Sequence, residues 1–445
     1  MNICAVSTPP GRGGIAVIRV SGPDAISIVD KIWEGKPLSN VDSHTAHLGN
    51  VKDCHGRFLD QSVATVFKAP KSYTGEDVVE IAVHGSQYIQ RTLLQALIEA
   101  GARIAEPGEF TQRAFINGKL DLIEAEAVAD IIASSSRAAH SLAASQLNGS
   151  FSTHIDSLRK ELIKLASLLE LELDFSEEDI AFADRNQLES IAKEIIAHVS
   201  KLINTFSYGQ SIKDGIRVAI VGRPNAGKSS LLNSLIESNR AIVSNIPGTT
   251  RDSIEETYDI EGVTFRFIDT AGIRDTSDPI EQLGIDRTYS NIKDARIIIS
   301  LIDPDVSEAD AKKQYEEIES IMASGSTIMT VYSKSDLYNE KPDGVAVSVV
   351  SEEGLKELKQ RLHEIAIEGM PDDESMVVTN ARHFSALISA HSALLNVVDA
   401  INNGLTADLI AEHLREAIDN IGAITGAITS GDVLKSIFEN FCIGK

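Results

Sequence analysis

"GRPNAGKSS", residues 222–230, stands between the β-branched run "IRVAIV" and the helical pattern "LLNSLIES". It is a G-x-x-x-x-G-K-[ST] pattern in a strand–loop–helix context. The glycines let backbone N–H groups curl around phosphate oxygens. Lys228 suits the β- and γ-phosphates, and Ser229 offers a hydroxyl to Mg²⁺. The start of the following helix adds partial positive charge. Asn225, Ala226, Gly227, Lys228, Ser229 and Ser230 are therefore expected to line the phosphates of a nucleotide.

Three shorter stretches downstream sharpen the nucleotide's identity. "GTTRD" (248–252) supplies a threonine for Mg²⁺. "DTAG" (269–272) follows a strand pattern and sets Asp269 beside the metal and Gly272 beside the γ-phosphate. "SKSD" (333–336) ends another apolar run, where Asp336 can accept from guanine N1–H and N2–H₂. Adenine lacks that pair of donors, so the expectation is GTP rather than ATP. In this order the stretches resemble the translation-factor-like GTPases. Two positions depart from that pattern: Ser333 replaces the asparagine of Asn-Lys-x-Asp, and "SVV" from Ser348 replaces Ser-Ala-Lys. Ile273 follows "DTAG", and an apolar residue there cannot polarise water.

The surrounding sequence predicts several domains. At 445 residues the chain is long enough for roughly two to four. In 1–118, "IAVIRVSG", "SVATVFKAP" and "VVEIAVHG" read as strands and "SQYIQRTLLQALIEAG" as a helix closing at Gly101, an α+β module. From 119 to 210 three long amphipathic helices are expected: "LDLIEAEAVADIIASSSRAAHSLAASQL", "STHIDSLRKELIKLASLLELELDF" and "NQLESIAKEIIAHVSKLINTFSYG". Residues 211–370 alternate strand and helix, which predicts a mostly parallel sheet covered on both faces. Helical periodicity returns over 371–445. The economical reading is a helical domain interrupted by an inserted α/β domain.

The chain is 43% hydrophobic, and its three cysteines (Cys4, Cys54, Cys442) lack metal-ligand spacing, so a reducing compartment is expected. "MNICAVSTPPGRGG" has no h-region, and no apolar run nears the ~18 residues of a membrane span, so the expected location is cytoplasmic with no membrane. A net charge of −24 argues against strong non-specific nucleic-acid binding. The acidic group "DFSEED" (174–179) reads as solvated turn chemistry rather than a metal site. "FCIGK" (441–445) admits three readings: a prenylation box, a frayed end, or a tail delivered to an active site with Cys442 as a reactive thiol.

"GRPNAGKSSLLN", "IPGTTRD" and "DTAGIR", flanked by "AEPGEFTQRAFINGKLDLIEAEAVADII" and the terminal "FCIGK", resemble the MnmE (TrmE) family of tRNA-modification GTPases over essentially the whole chain. The resemblance implies a folate-binding, dimerising N-terminal α+β domain, a discontinuous helical domain and an inserted P-loop GTPase domain. It also implies a potassium-activated GTPase. With the flavoprotein MnmG, in a heterotetramer built on a homodimer, it would add an aminomethyl-type group to C5 of the wobble uridine of certain tRNAs. Hydrolysis of GTP to GDP and phosphate would drive conformational change.

Residue by residue, the resemblance implies K⁺ ligands at Asn225, Ser244, the backbone of Ile246 and Thr249, and Mg²⁺ ligands at Ser229 and Thr250. The GTP-facing loops would run through Ser244, Asn245, Ile246, Pro247, Gly248, Thr249 and Thr250, through Asp269, Thr270, Ala271 and Gly272, and through Ser333, Lys334, Ser335 and Asp336. Glu281 would orient the hydrolytic water, with K⁺ neutralising transition-state charge. Arg19, Glu80, Lys119 and Lys445 would hold 5-formyltetrahydrofolate or a related tetrahydrofolate, and Cys442 would serve the modification chemistry. A ribosome-assembly or other RNA-associated GTPase is the alternative, as is a folate-dependent transferase whose GTPase domain only regulates.

Overall fold

The computed structural model describes residues 1–174, 185–237, 255–269, 288–338, 344–368, 376–429, 431–439, 441 and 444. These divide into two compact units: Met1–Ile132 with Gln146–Ile196 and Ser389–Lys445, and Ala133–Ser145 with Ala197–Ile388.

The first unit holds a seven-stranded sheet. Its strands are β1 (Ile3–Val6), β2 (Gly13–Ser21), β3 (Trp33–Glu34), β4 (Thr45–Lys52), β5 (Phe58–Phe67), β6 (Val78–Gly85) and β7 (Arg103–Ile104). The order is β3-β4-β5-β6-β2-β1-β7, antiparallel except where β1 meets β7. Alternation in β2 buries Ala16, Ile18 and Val20 beneath the helix Gln87–Ala100, which contributes Leu93, Ala96 and Leu97. That helix stops at Gly101, whose φ of 121° supplies the turn out of it. The rest of this unit is helical. Ala407–Thr425 packs along Ser150–Asp174, burying a stripe that includes Ile410, Leu414 and Ile421.

The second unit holds a six-stranded sheet of β8 (Ile216–Gly222), β9 (Glu255–Ile260), β10 (Val263–Asp269), β11 (Ile297–Ile302), β12 (Thr327–Tyr332) and β13 (Val345–Ala346). The order is β13-β12-β11-β8-β10-β9. All neighbours are parallel except β9 and β10, which form an antiparallel hairpin. The α+β, helical and inserted α/β elements expected from sequence are thus present.

Two local expectations need correction. The stretch 120–147 is two helices, Leu122–Ala133 and Arg137–Leu147, rather than one. Three consecutive serines interrupt it, and Ser136 caps the second helix by accepting the Ala139 N–H at 3.2 Å. The helix Ala381–Asn402 is also long and apolar enough to span a membrane by length and composition. Its apolarity has a packing cause: Leu387, Ala390, Leu394, Val397 and Ile401 recur every three or four residues and are buried.

Candidate functional site

The parallel strands β8, β10, β11 and β12 end level with one another, since Gly222 pairs with Leu301, Asp269 with Ile220, and Ile302 with Tyr332. The chain runs from β8 toward β10 on one side and from β11 toward β12 on the other. The crevice between the carboxyl ends of β8 and β11 is therefore a topological switch point, where open α/β sheets bind ligands. The loop 223–227 leaves β8 there. Asn225 (φ 64°) and Gly227 (φ 95°) are left-handed, which curls the backbone toward the crevice. A Cβ at Gly222 would lie 2.8 Å from the Leu301 carbonyl, so glycine is needed for strand and loop to pass this close.

Lys228 Nζ donates to the carbonyls of Gly222 (2.9 Å) and Arg223 (3.0 Å), fastening the loop's two ends. Lys228 also begins the helix Lys228–Glu237, which is anchored by buried Leu231 and Leu235, and Ser229 and Ser230 are exposed at its start. Arg223 forms an ion pair of 3.0 Å with Asp310 on the helix Glu308–Ile321. The Ser307 hydroxyl, then Arg223, hold the Asp310 carboxyl below its usual range. Nothing in the phosphate-loop pattern announces this second tether.

On the other side of the crevice, Ser333 is buried, and its N–H (2.8 Å) and Oγ (3.3 Å) both donate to the Ile302 carbonyl. Tyr338 directs its hydroxyl to the same carbonyl at 3.5 Å. Burial first, then Asp303, Tyr332 and Asp305, pushes that phenol up to about 12. Lys334 is left-handed (φ 53°), with Nζ 3.9 Å from Asp303. Ser335 N–H bonds the Val347 carbonyl (3.0 Å), and Ser348 Oγ donates to Asp336 Oδ1 at 2.6 Å. The "SVV" turn thus fixes the Asp336 carboxylate, and "SKSD" and "SVV" come together although they are separate in sequence.

Asp269 closes β10 as a backbone position. Ser244, Asn245, Ile246, Pro247, Gly248, Thr249, Thr250, Thr270, Ala271, Gly272 and Glu281 lie outside the described residues, as do Cys442, Lys445 and most of "DFSEED".

In the first unit, Arg19 and Glu80 are direct partners across β2 and β6. Arg19 Nε lies 2.8 Å and its Nη2 2.7 Å from Glu80 Oε1. The guanidinium is 5.2 Å from the Tyr73 ring centroid and 5.6 Å from that of Phe110, two aromatic neighbours with no sequence signal. Two residues further along β2, Ser21 bonds Thr74 and Glu76 (both 2.7 Å). Gly75 between them lies against the stem of Lys119, which a Cβ there would meet at 3.3 Å.

Beneath runs a charge network centred on buried Glu109. Arg113 bonds Glu76 (2.9 Å) and Glu109 (2.9 Å), and Arg103 bonds Glu109 (2.7 Å). The chain's end returns to this region. Ser7 Oγ donates to the Gly444 carbonyl at 3.2 Å, and Val6, next to Ser7 on β1, pairs with Ile18, the neighbour of Arg19. Phe441 packs with Phe438, Phe115 and Leu122.

Two family models match: the MnmE helical domain over residues 122–442, and the GTP-binding protein TrmE N-terminus over 2–119. The chain is 47% identical to the tRNA modification GTPase MnmE of Parabacteroides distasonis, covering all of this chain and 99% of that one. It is 45% identical to the Cytophaga hutchinsonii protein of the same name, covering 100% and 97%. Among solved structures, the G domain of the T. maritima FeoB iron transporter matches 34% of this chain and 98% of its own, at 29% identity and a TM-score of 0.27.

Proposed function

The chain belongs to the MnmE (TrmE) family, and from that premise we infer that it is a GTPase acting in modification of the tRNA wobble uridine. The observation that carries the GTPase reading is the loop Arg223–Gly227, which curls at the switch point with Lys228 behind it and an aspartate fixed by Ser348 across the crevice.

The finer assignments are ours. Positive φ at Asn225 and Gly227 suits a loop that wraps phosphate, and exposed Ser229 suits Mg²⁺ at the helix start. We assign Asn225, Ser244, Ile246 and Thr249 to K⁺, Thr250 with Ser229 to Mg²⁺, and Glu281 to the hydrolytic water. K⁺ and Mg²⁺ would neutralise charge on the transferring phosphoryl group. Asp336 reads guanine.

We assign Arg19, Glu80, Lys119 and Lys445 to a tetrahydrofolate. Glu80 spends Oε1 on Arg19, and Oε2 accepts from no described residue, which suits a pterin N–H donor. Tyr73 and Phe110 offer flat surfaces beside it. The seat of Gly444 on Ser7 supports a tail, Cys442 included, that serves this site. A homodimer is supported by the exposed register partners Leu48 and Val63 on β4 and β5. MnmG is the proposed second partner and the cytoplasm the proposed location. The proposed functional division remains 1–118, 119–210 with 371–445, and 211–370.

GTP turnover in K⁺ against Na⁺, together with nucleoside analysis of tRNA from a deletion strain, tests this. Faster turnover in K⁺ and loss of the modified wobble uridine are expected. Normal tRNA in the deletion strain would favour a ribosome-assembly GTPase. Equal turnover in both salts would remove the K⁺ assignment.

A further inference from the structure

The hairpin β9–β10 lies in sequence between two stretches assigned above to the nucleotide, since "IPGTTRD" precedes β9 and "DTAG" begins where β10 ends. Its turn consists of Glu261 (φ 53°) and Gly262 (φ 88°), the positive-φ pair of a two-residue type I′ connection. That turn does not end in solvent. The Gly262 carbonyl accepts the N–H of Ala138 at 2.9 Å, in the first turn of the helix Arg137–Leu147. The first four N–H groups of a helix have no partner within it. Here the Ser136 hydroxyl satisfies that of Ala139, and the hairpin satisfies that of Ala138.

Apolar packing reinforces this cap. Ala139 and Leu142 are buried in one core with Tyr258, Ile260 and Val263 of the hairpin. A Cβ on Gly262 would meet that of Arg137 at 3.1 Å, so the turn is pressed against the helix start. From the α/β side, Lys359 Nζ donates to the Tyr258 hydroxyl at 3.0 Å. Residues 133–145 accordingly belong to the second compact unit, although in sequence they continue the helical region.

We propose that the β9–β10 hairpin is the mechanical output of the nucleotide site and that the first turn of the helix Arg137–Leu147 is its receiver. In this scheme a change of nucleotide state shifts the hairpin, and the Gly262 carbonyl then engages or releases the Ala138 N–H in the helix's first turn. Because the carbonyl also complements the partial positive charge at the helix start, release would fray that turn rather than merely translate it. Leu142 is a positioning residue in this scheme. It touches no nucleotide, and it keeps helix and hairpin in register. The proposal rests on the GTPase reading.

The test is amide hydrogen exchange on the full-length protein in K⁺, with GDP alone and with GDP plus aluminium fluoride. Protection at Ala138, Ala139 and His140 should differ at least fivefold between the two states. Equal protection in a protein that turns over GTP overturns the proposal alone, whereas absent GTP turnover overturns the GTPase reading with it. Leu142→Ala should abolish the exchange difference, keep GTP turnover within threefold of the parent, and cut wobble-uridine modification at least tenfold in complementation. Leu142→Met should restore both. Normal modification by Leu142→Ala, or a parallel loss of GTP turnover, also overturns the coupling.

Discussion

The nucleotide loop and the Arg19–Glu80 pair sit on two sheets built by different rules. The strand end, loop and helix start together use nine consecutive residues (222–230), and the loop's shape comes from backbone dihedrals at Asn225 and Gly227. The pair is assembled across strands, from residues 61 apart in sequence, over a charge network centred on buried Glu109. A site made from a run of backbone tolerates change around it but not within it. A site made from opposed side chains depends on everything that fixes register. The two should therefore fail separately.

The largest separation should come from Lys228→Ala. GTP turnover should fall by about 10²–10³-fold, the scale for removing one donor from a charge-stabilising site. Folate binding, followed by fluorescence titration, should be unchanged. A shared loss would mean that the sites are not independent.

Glu109→Gln strikes the scaffold of the other site. It takes the charge from the buried carboxylate that Arg103 and Arg113 share, leaves Arg113 with Glu76 alone, and should cost about 2–3 kcal/mol in urea unfolding, the upper scale of a hydrogen bond to a charged group. Burial opposes ionisation of Glu109, but the Arg103 guanidinium, the Glu106 N–H and Arg113 outweigh it and hold the carboxyl below its usual range. A carboxyl depressed in the folded state adds stability above its unfolded pKa, and that stability is lost as pH falls through the folded value. The urea midpoint of the parent should drop as pH passes below the ordinary carboxylate value of ~4.3, and the drop should shrink in Glu109→Gln.

Arg19→Ala should weaken binding of 5-formyltetrahydrofolate by about 2 kcal/mol, the scale of a hydrogen bond to a charged group, with GTP turnover unaltered. Unchanged titration curves would move the folate elsewhere. The smallest effect belongs to Ser333→Asn, expected to tighten GTP by about 1 kcal/mol. Ser333 is held to Ile302 by both its backbone and its hydroxyl, so weaker binding would show that this buried position has no room for the larger amide.

Legibility in the sequence followed the same divide. The strand–loop–helix around Lys228 could be read directly because its signals are contiguous. So could β2, β5 and β6, whose apolar alternation survives one-sided burial. The strand β9 could not: "EETYDI" is half acidic, and only its pairing with β10 makes it a strand. The break at Ser134–Ser136 is written in the three serines, yet the apolar period runs through it, and the hairpin carbonyl on Ala138 comes from more than 100 residues away. Arg103, Glu109, Arg113 and Glu76 carry no signal one by one, because only the fold gathers the other three around buried Glu109.

The seat of Gly444 on Val6 and Ser7 also imposes an order on biosynthesis. A Cβ at Gly444 would clash with the Val6 carbonyl, and one at Gly108 would clash with the Phe438 carbonyl. These docking surfaces lie within residues 6–108 and their occupants at 438 and 444, more than 300 residues later in synthesis. During elongation the sheet can form while its two final contacts stay vacant, since N-terminal regions fold first during synthesis. A nascent chain stalled before Phe438 would therefore expose the apolar cleft around Gly108 and Phe115 to chaperones and proteases.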